Sequence, residues 1–145
     1  MATTATISIS SDIAPGFGGI SNTMTLTKAG ALTDIEETIG FSRRKLAATT
    51  AVDIIRMATE LVDTTATTTA AKVYVRNMGD GKGSFDKSTY VKISIGASDG
   101  TMQEIGKLYG GDWMLFPVTA ADDMDVVAAP ENNNAVVLEY TMFYE

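Results

Sequence analysis

Val137-Leu138-Glu139-Tyr140-Thr141-Met142-Phe143-Tyr144-Glu145 closes the chain in the alternation of a β-strand, with no polar tail behind it. Successive side chains of a strand point to opposite faces, and chain ends fray unless they are tied down. A terminus this apolar therefore predicts a strand held by neighbouring strands. Leu138, Tyr140 and Met142 fall on one parity and Val137 and Phe143 on the other. Trp113-Met114-Leu115-Phe116 repeats the pattern: if Trp113 and Leu115 point inward, Met114 and Phe116 point outward. Two apolar faces on one ribbon require that one be covered, by a second sheet or by another subunit.

Working outward, residues 113–118 predict a strand ended by Pro117 at an edge or exit position, because proline has no N–H to give a ladder. Residues 72–76 and 89–95 predict two more, the second with Val91, Ile93 and Ile95 on one face. Residues 77–87 read as a glycine-rich connection, 96–101 as a turn, 104–109 as an approach to Gly110-Gly111-Asp112, 124–128 as a short apolar segment and 130–134 as an asparagine turn. The N-terminal half is weaker. Ile7 and Ile9 alternate with Thr6, Ser8 and Ser10, and residues 20–28 set Met24 and Leu26 against Thr23, Thr25 and Thr27. Residues 29–50 read as loop with a short strand at 39–46.

Residues 52–62 fit two periods. Val52, Ile55, Ala58 or Thr59 and Val62 form a helical stripe, whereas Ile55, Met57, Thr59 and Leu61 alternate. The strand is preferred for 52–58 because its neighbours are strands; a short helix is the alternative. Residues 63–71 form a Thr/Ala linker. Short strands at roughly 8 to 12 residue spacing with polar turns are the pattern of a sandwich. The expected fold is all-β, a β-sandwich or jelly-roll-like domain of about seven to nine short strands. It spans residues 1–145 as one domain with an extended N-terminal arm (about 1–30).

The chain carries no cysteine and no histidine. That excludes disulfides, thiolate metal sites and Ser-His-Asp arrangements, and removes the commonest general base and zinc ligand. A net charge of −7 repels phosphate backbones and anionic lipid, so neither nucleic-acid nor membrane binding is expected. No apolar run approaches the roughly 20 residues of a membrane helix, and Met1-Ala2-Thr3-Thr4-Ala5-Thr6 lacks the regions of a signal peptide. The reading is that this is not an enzyme, with no catalytic, cofactor-binding or metal-binding residue.

Gly79-Asp80-Gly81-Lys82-Gly83-Ser84 lacks phosphate-loop spacing and a following helix, and reads as a hairpin loop, as does Gly16-Phe17-Gly18-Gly19. Asp122, Asp123 and Asp125 with Glu131 lack the spacing of a calcium loop and read as a solvated turn. Glu36 and Glu37, or Glu60 and Asp63, could pair across a glycosidase-like cleft only as any acidic pair could. Arg43-Arg44-Lys45 is the single basic cluster of an acidic chain. It is either solvated surface or a contact for an acidic partner. Exposed Trp113 or Tyr109 could stack on a sugar ring.

The C-terminal half also carries an order of phrases: Lys72-Val73-Tyr74-Val75-Arg76-Asn77, Tyr90-Val91-Lys92-Ile93, Glu104-Ile105-Gly106-Lys107-Leu108-Tyr109-Gly110-Gly111-Asp112-Trp113, Phe116-Pro117 and Leu138-Glu139-Tyr140. Over residues 72–145 this resembles small virion structural proteins of tailed bacteriophages, the β-sandwich modules that decorate or cement capsids and occur in tails and fibres. The resemblance implies a homo-oligomer, a trimer by preference, that assembles in the bacterial cytoplasm, resides on the capsid surface of the virion and contacts the major capsid protein. The candidate residues for that contact are Ile7, Ile9 and Phe17 of the arm with Arg43, Arg44 and Lys45. Tyr140, Met142 and Tyr144 are the candidates for self-association. A tail, neck or fibre component and a glycan-binding β-sandwich module are the alternatives.

Overall fold

The structure is a computed structural model, and it describes residues 4–9, 20–25, 37–60, 69–80, 89–120 and 124–144. In chain order these form β1 (Thr4–Ile9), β2 (Ile20–Thr25), β3 (Glu37–Thr38), β4 (Ser42–Leu46), β5 (Val52–Ile55), α1 (Met57–Glu60), β6 (Thr69–Asn77), β7 (Tyr90–Gly96), β8 (Met102–Tyr109), β9 (Trp113–Ala120), β10 (Val126–Pro130) and β11 (Val136–Tyr144). The all-β class holds. A four-stranded sheet runs β5-β10-β7-β8, a five-stranded sheet runs β3-β11-β6-β9 with β4 also paired to β11, and β1 and β2 form a hairpin of their own. Every pairing is antiparallel.

The closing strand is central to the five-stranded sheet, held by β6 on one side and by β3 and β4 on the other. Its even-numbered residues Val136, Leu138, Tyr140, Met142 and Tyr144 are buried, as are Ala71, Val73 and Val75 of β6. They pack with Ile55, Val91, Ile93, Leu108, Val126 and Ala128 of the opposing sheet in one apolar cluster. Burial of this layer supplies the main driving force, at roughly 1.5–3 kcal/mol for each large aliphatic side chain removed from water.

The register decides which face is which. Val73 lies opposite Phe116 and Val75 opposite Met114, so Met114 and Phe116 pack on the core while Trp113 and Leu115 point away from it. This reverses the parity considered for β9 from sequence. Pro117 also does not end its strand, which continues to Ala120. The Asn77 N–H donates to the Asp112 carbonyl at 2.9 Å, and antiparallel bonding alternates from there. The missing N–H of Pro117 therefore falls on the side away from β6. β9 has no second strand neighbour among the described residues, where proline is tolerated.

Residues 52–62 use both of their periods in turn: a strand over residues 52–55, then one helical turn over 57–60. Asp125 Oδ1 accepts the Met57 N–H at 2.8 Å, supplying the acceptor that the first turn lacks. Residues 69–71, placed in the Thr/Ala linker by composition, belong to β6, and Ala71 is fully buried. Residues 104–109, read only as an approach to a turn, belong to a full edge strand, Met102–Tyr109. Between β3 and β4 the register against β11 slips by one residue. Gly40, at φ 76°, sits at the slip, as a glycine in the left-handed region does at a β-bulge.

Asn77 joins the sheets at one end. Its side chain is buried, its Nδ2 donates to the Leu108 carbonyl of β8 at 3.0 Å, and its Oδ1 accepts the Gly79 N–H at 2.8 Å. Its backbone completes the junction, since Gly111 N–H donates to the Asn77 carbonyl at 2.9 Å.

Candidate functional site

The two outer faces of the sandwich differ in chemistry. On the four-stranded sheet Lys92 pairs with Glu104 at 3.9 Å, and Lys107 Nζ lies 4.7 Å from the Tyr90 ring centre, beside Tyr109. That sheet mixes charge with apolar surface, since Met102, Ile105 and Tyr109 of its edge strand β8 are also exposed. On the five-stranded sheet the residues turned outward are those whose neighbours in sequence face the core: Arg43 and Lys45 of β4, Val137, Glu139 and Phe143 of β11, Lys72, Tyr74 and Arg76 of β6, and Trp113 and Leu115 of β9.

An aromatic row crosses this second face. The Phe41 and Tyr74 rings meet edge to face at 6.2 Å, and the Tyr74 and Trp113 rings lie 6.3 Å apart at 34°. Phe41 is 70% exposed and Trp113 is 47% exposed. The bulge at Gly40 carries Phe41 to the level of Thr141, which lies opposite Tyr74 and is fully buried despite its outward parity. Arg43, Lys45, Lys72 and Arg76 surround the row, with Glu139 as the acidic residue among them. Glu139 Oε2 accepts both Arg43 Nη2 at 2.7 Å and Arg43 Nε at 2.8 Å. A chain of net charge −7 thus carries a face with an excess of cations.

β1 stands over one end of the row. A cleft of about 460 Å³ lies between Ala5, Thr6 and Ile7 on one side and Tyr74, Arg76, Trp113 and Leu115 on the other, with Gly111 at its rim. Gly111 takes φ 96° in the turn from β8 to β9, where the Asp112 N–H donates to the Tyr109 carbonyl and Asp112 Oδ2 accepts the Tyr109 N–H. Arg76 Nε is buried there and has no hydrogen-bond partner.

The sequence candidates separate. Ile7 reaches the cleft, and Arg43 and Lys45 lie on the aromatic face. Arg44 has the opposite parity, and its Nη1 donates to the Asp53 carbonyl of β5 at 2.8 Å, tying the two sheets together at their edge. Ile9 ends β1, and Phe17 lies outside the described residues. Tyr140, Met142 and Tyr144, expected at a self-association surface, pack in the chain's own core at 9%, 0% and 6% exposure and offer little side-chain surface to a partner copy. Of the acidic turn, Asp122 and Asp123 lie outside the described residues, and Asp125 is engaged with Met57. Burial raises the Asp125 carboxyl above its ordinary value, Met57 opposes this, and the Asp53 and Asp99 charges add to it against Arg56. No group of three or more acidic residues among the described residues is placed to hold a metal ion.

Sequence alone does not single out Phe41, Tyr74 or Arg76 as site residues. The signal for Tyr74 and Arg76 was present, since they alternate with Val73 and Val75; Phe41 depended on a bulge. Among the described residues no helix is long and apolar enough to cross a membrane.

No protein-family model matches the chain, and no curated protein matches it. A solved chain described under Bacillus endospore appendages that form disulfide-linked pili is similar at 17% identity, covering 79% of this chain and 93% of that one, with a TM-score of 0.44. With no cysteine, this chain cannot make the disulfides named for that one.

Proposed function

We propose that this chain is a structural protein of a tailed-phage virion that binds the outer surface of the capsid as a decoration or cement protein. The observation that carries the reading is the aromatic row ringed by basic residues on the outer face of the five-stranded sheet. That face presents exposed Phe41 and Trp113, with half-buried Tyr74 between them, among Arg43, Lys45, Lys72 and Arg76 in an otherwise acidic molecule. Aromatic and arginine side chains concentrate binding energy at interfaces, and a local positive field steers towards a surface of opposite sign. Arg43 and Lys45 face the major capsid protein, and the N-terminal hairpin extends the contact. Each copy contributes a modest free energy that a repeating shell sums. Self-association, expected as a trimer, would then use surface other than Tyr140, Met142 and Tyr144.

The test is occupancy of capsids by the wild type and by a variant with Arg43, Arg44 and Lys45 replaced by serine, measured against salt. The reading expects many copies per particle, fewer for the variant, and a flattened salt dependence because fewer charges meet the shell. A handful of copies per particle would assign the chain to the tail, neck or fibre instead. Unchanged occupancy and salt response in the variant would remove the basic cluster from the contact.

A further inference from the structure

We infer that the cleft between β1 and the outer face of the five-stranded sheet binds a sugar ring bearing a carboxylate. Three features meet there, and the sandwich itself uses none of them. Tyr74 and Trp113 form a pair of rings inclined at 34°, half open to solvent at Trp113. The C–H face of a pyranose carries slight positive charge and settles on the negative face of an aromatic ring, so such a wall selects flat, C–H-bearing rings. The open cleft's volume of about 460 Å³ falls within the roughly 300–1,000 Å³ usual for small-molecule sites.

The second feature is Arg76. Its Nε is buried without an acceptor, and a buried donor left unmade costs stability, which a bound acceptor would recover. Guanidinium groups hold carboxylates through two parallel hydrogen bonds. Glu139, the acidic residue registered beside Arg76 on β11, already receives both bonds from Arg43. Lys72, on the same outward parity of β6, adds to the positive field, so an anionic sugar is favoured over a neutral one.

The third feature is the cover. Ala5, Thr6 and Ile7 close the cleft opposite the rings, and the Thr6 and Thr23 hydroxyls are joined at 2.8 Å across the hairpin. This wall is a paired two-stranded ribbon rather than a single extended segment, and Ile7 offers it an apolar surface. A carboxylated ring would sit between ring wall and ribbon with its carboxylate at Arg76.

The experiment is calorimetric titration of the full chain with a disaccharide containing glucuronic acid and with its neutral glucose counterpart. The acidic sugar should bind, and the neutral one should bind roughly 10- to 100-fold more weakly, the range expected for loss of a charged hydrogen-bonding partner. Arg76→Gln should abolish that difference, Arg76→Lys should restore part of it, and Trp113→Ala should weaken both sugars together. Saturation transfer between the Trp113 indole protons and the sugar C–H protons reports the contact on the unaltered protein, whatever the variants do to folding. Equal affinity for the two sugars, no binding of either, or transfer that bypasses the indole would each overturn the assignment. Longer uronate oligomers that bind no better than the disaccharide would identify the ligand as a free sugar rather than a polysaccharide segment.

Discussion

Replacing Asn77 with alanine should unfasten the end of the sandwich without touching its apolar layer. The side chain is buried, with Nδ2 donating to the Leu108 carbonyl and Oδ1 accepting from Gly79. Asn77→Ala leaves one carbonyl and one N–H without their partner, and each such orphan costs about 1–3 kcal/mol. The sum, about 2–6 kcal/mol, is a large part of the 5–15 kcal/mol that holds a typical domain folded, and corresponds to a fall in Tm of roughly 5–20 °C. Urea unfolding followed by both far-ultraviolet circular dichroism and Trp113 fluorescence measures it. Asn77→Asp separates donor from acceptor. The new carboxylate still accepts from Gly79 but cannot donate to Leu108 unless it is protonated, so the fold raises its pKa above the ordinary value of about 3.9. The deficit should therefore be small in acid and grow as pH rises through the raised pKa. A loss below about 1 kcal/mol for Asn77→Ala, or a pH-independent deficit for Asn77→Asp, would refute the idea that this amide joins the sheets.

Gly96→Ala should cost about 2 kcal/mol or more, because its Cβ would lie 2.2 Å from the Thr101 carbonyl at φ 127°; Gly40→Ala, at φ 76° with open space around it, should cost only about 1 kcal/mol in thermal melts. Met142→Ala should lose about 2–5 kcal/mol as a core truncation and leave the solution mass unchanged, whereas a change of oligomeric mass at preserved stability would return this residue to an interface. Asp125→Asn keeps an acceptor for Met57 and removes a charge whose pKa is raised by burial. The folded wild type binds that proton more tightly than the unfolded chain, so its stability falls as pH rises from 3.8 through the raised value. The variant should therefore match or exceed the wild type at neutral pH, and the gap should close in acid when both are followed by urea unfolding. Arg43→Ser should alter stability by less than about 1 kcal/mol, as exposed ion pairs do, so any large loss of capsid occupancy would report contact and not unfolding.

The strands of the C-terminal half were legible because their alternation is strict. Val91 and Ile93, Val73 and Val75, and the closing strand each put one parity into the core, and each strand was placed to within a few residues. Residues 69–71 depart from the linker reading because alanine is as compatible with a tightly packed strand as with a loop, and Ala71 is buried only because Val118 and Tyr144 lie beside it in register. Glu37 and Thr38 could not be read as a strand, since two residues have no period. Met57 at the start of α1 and the distant Asp125 carry no local sign of the bond that joins them.

For the candidate site, sequence supplied the ingredients and register assigned them to faces. That aromatic and apolar residues occupied both parities of Trp113–Phe116 and of the closing strand followed from alternation alone, as did the need for one of those faces to be covered. Which face was covered depended on pairings across forty residues or more, Val73 with Phe116 and Tyr140 with Val75. A strand's side-chain period is two, so a shift of one residue in register exchanges core for surface along its whole length. Local sequence is silent about that shift. Burial of the most apolar combined layer between the sheets sets it, sending Tyr140, Met142 and Tyr144 inside and leaving Tyr74, Arg76 and Trp113 together on the outside.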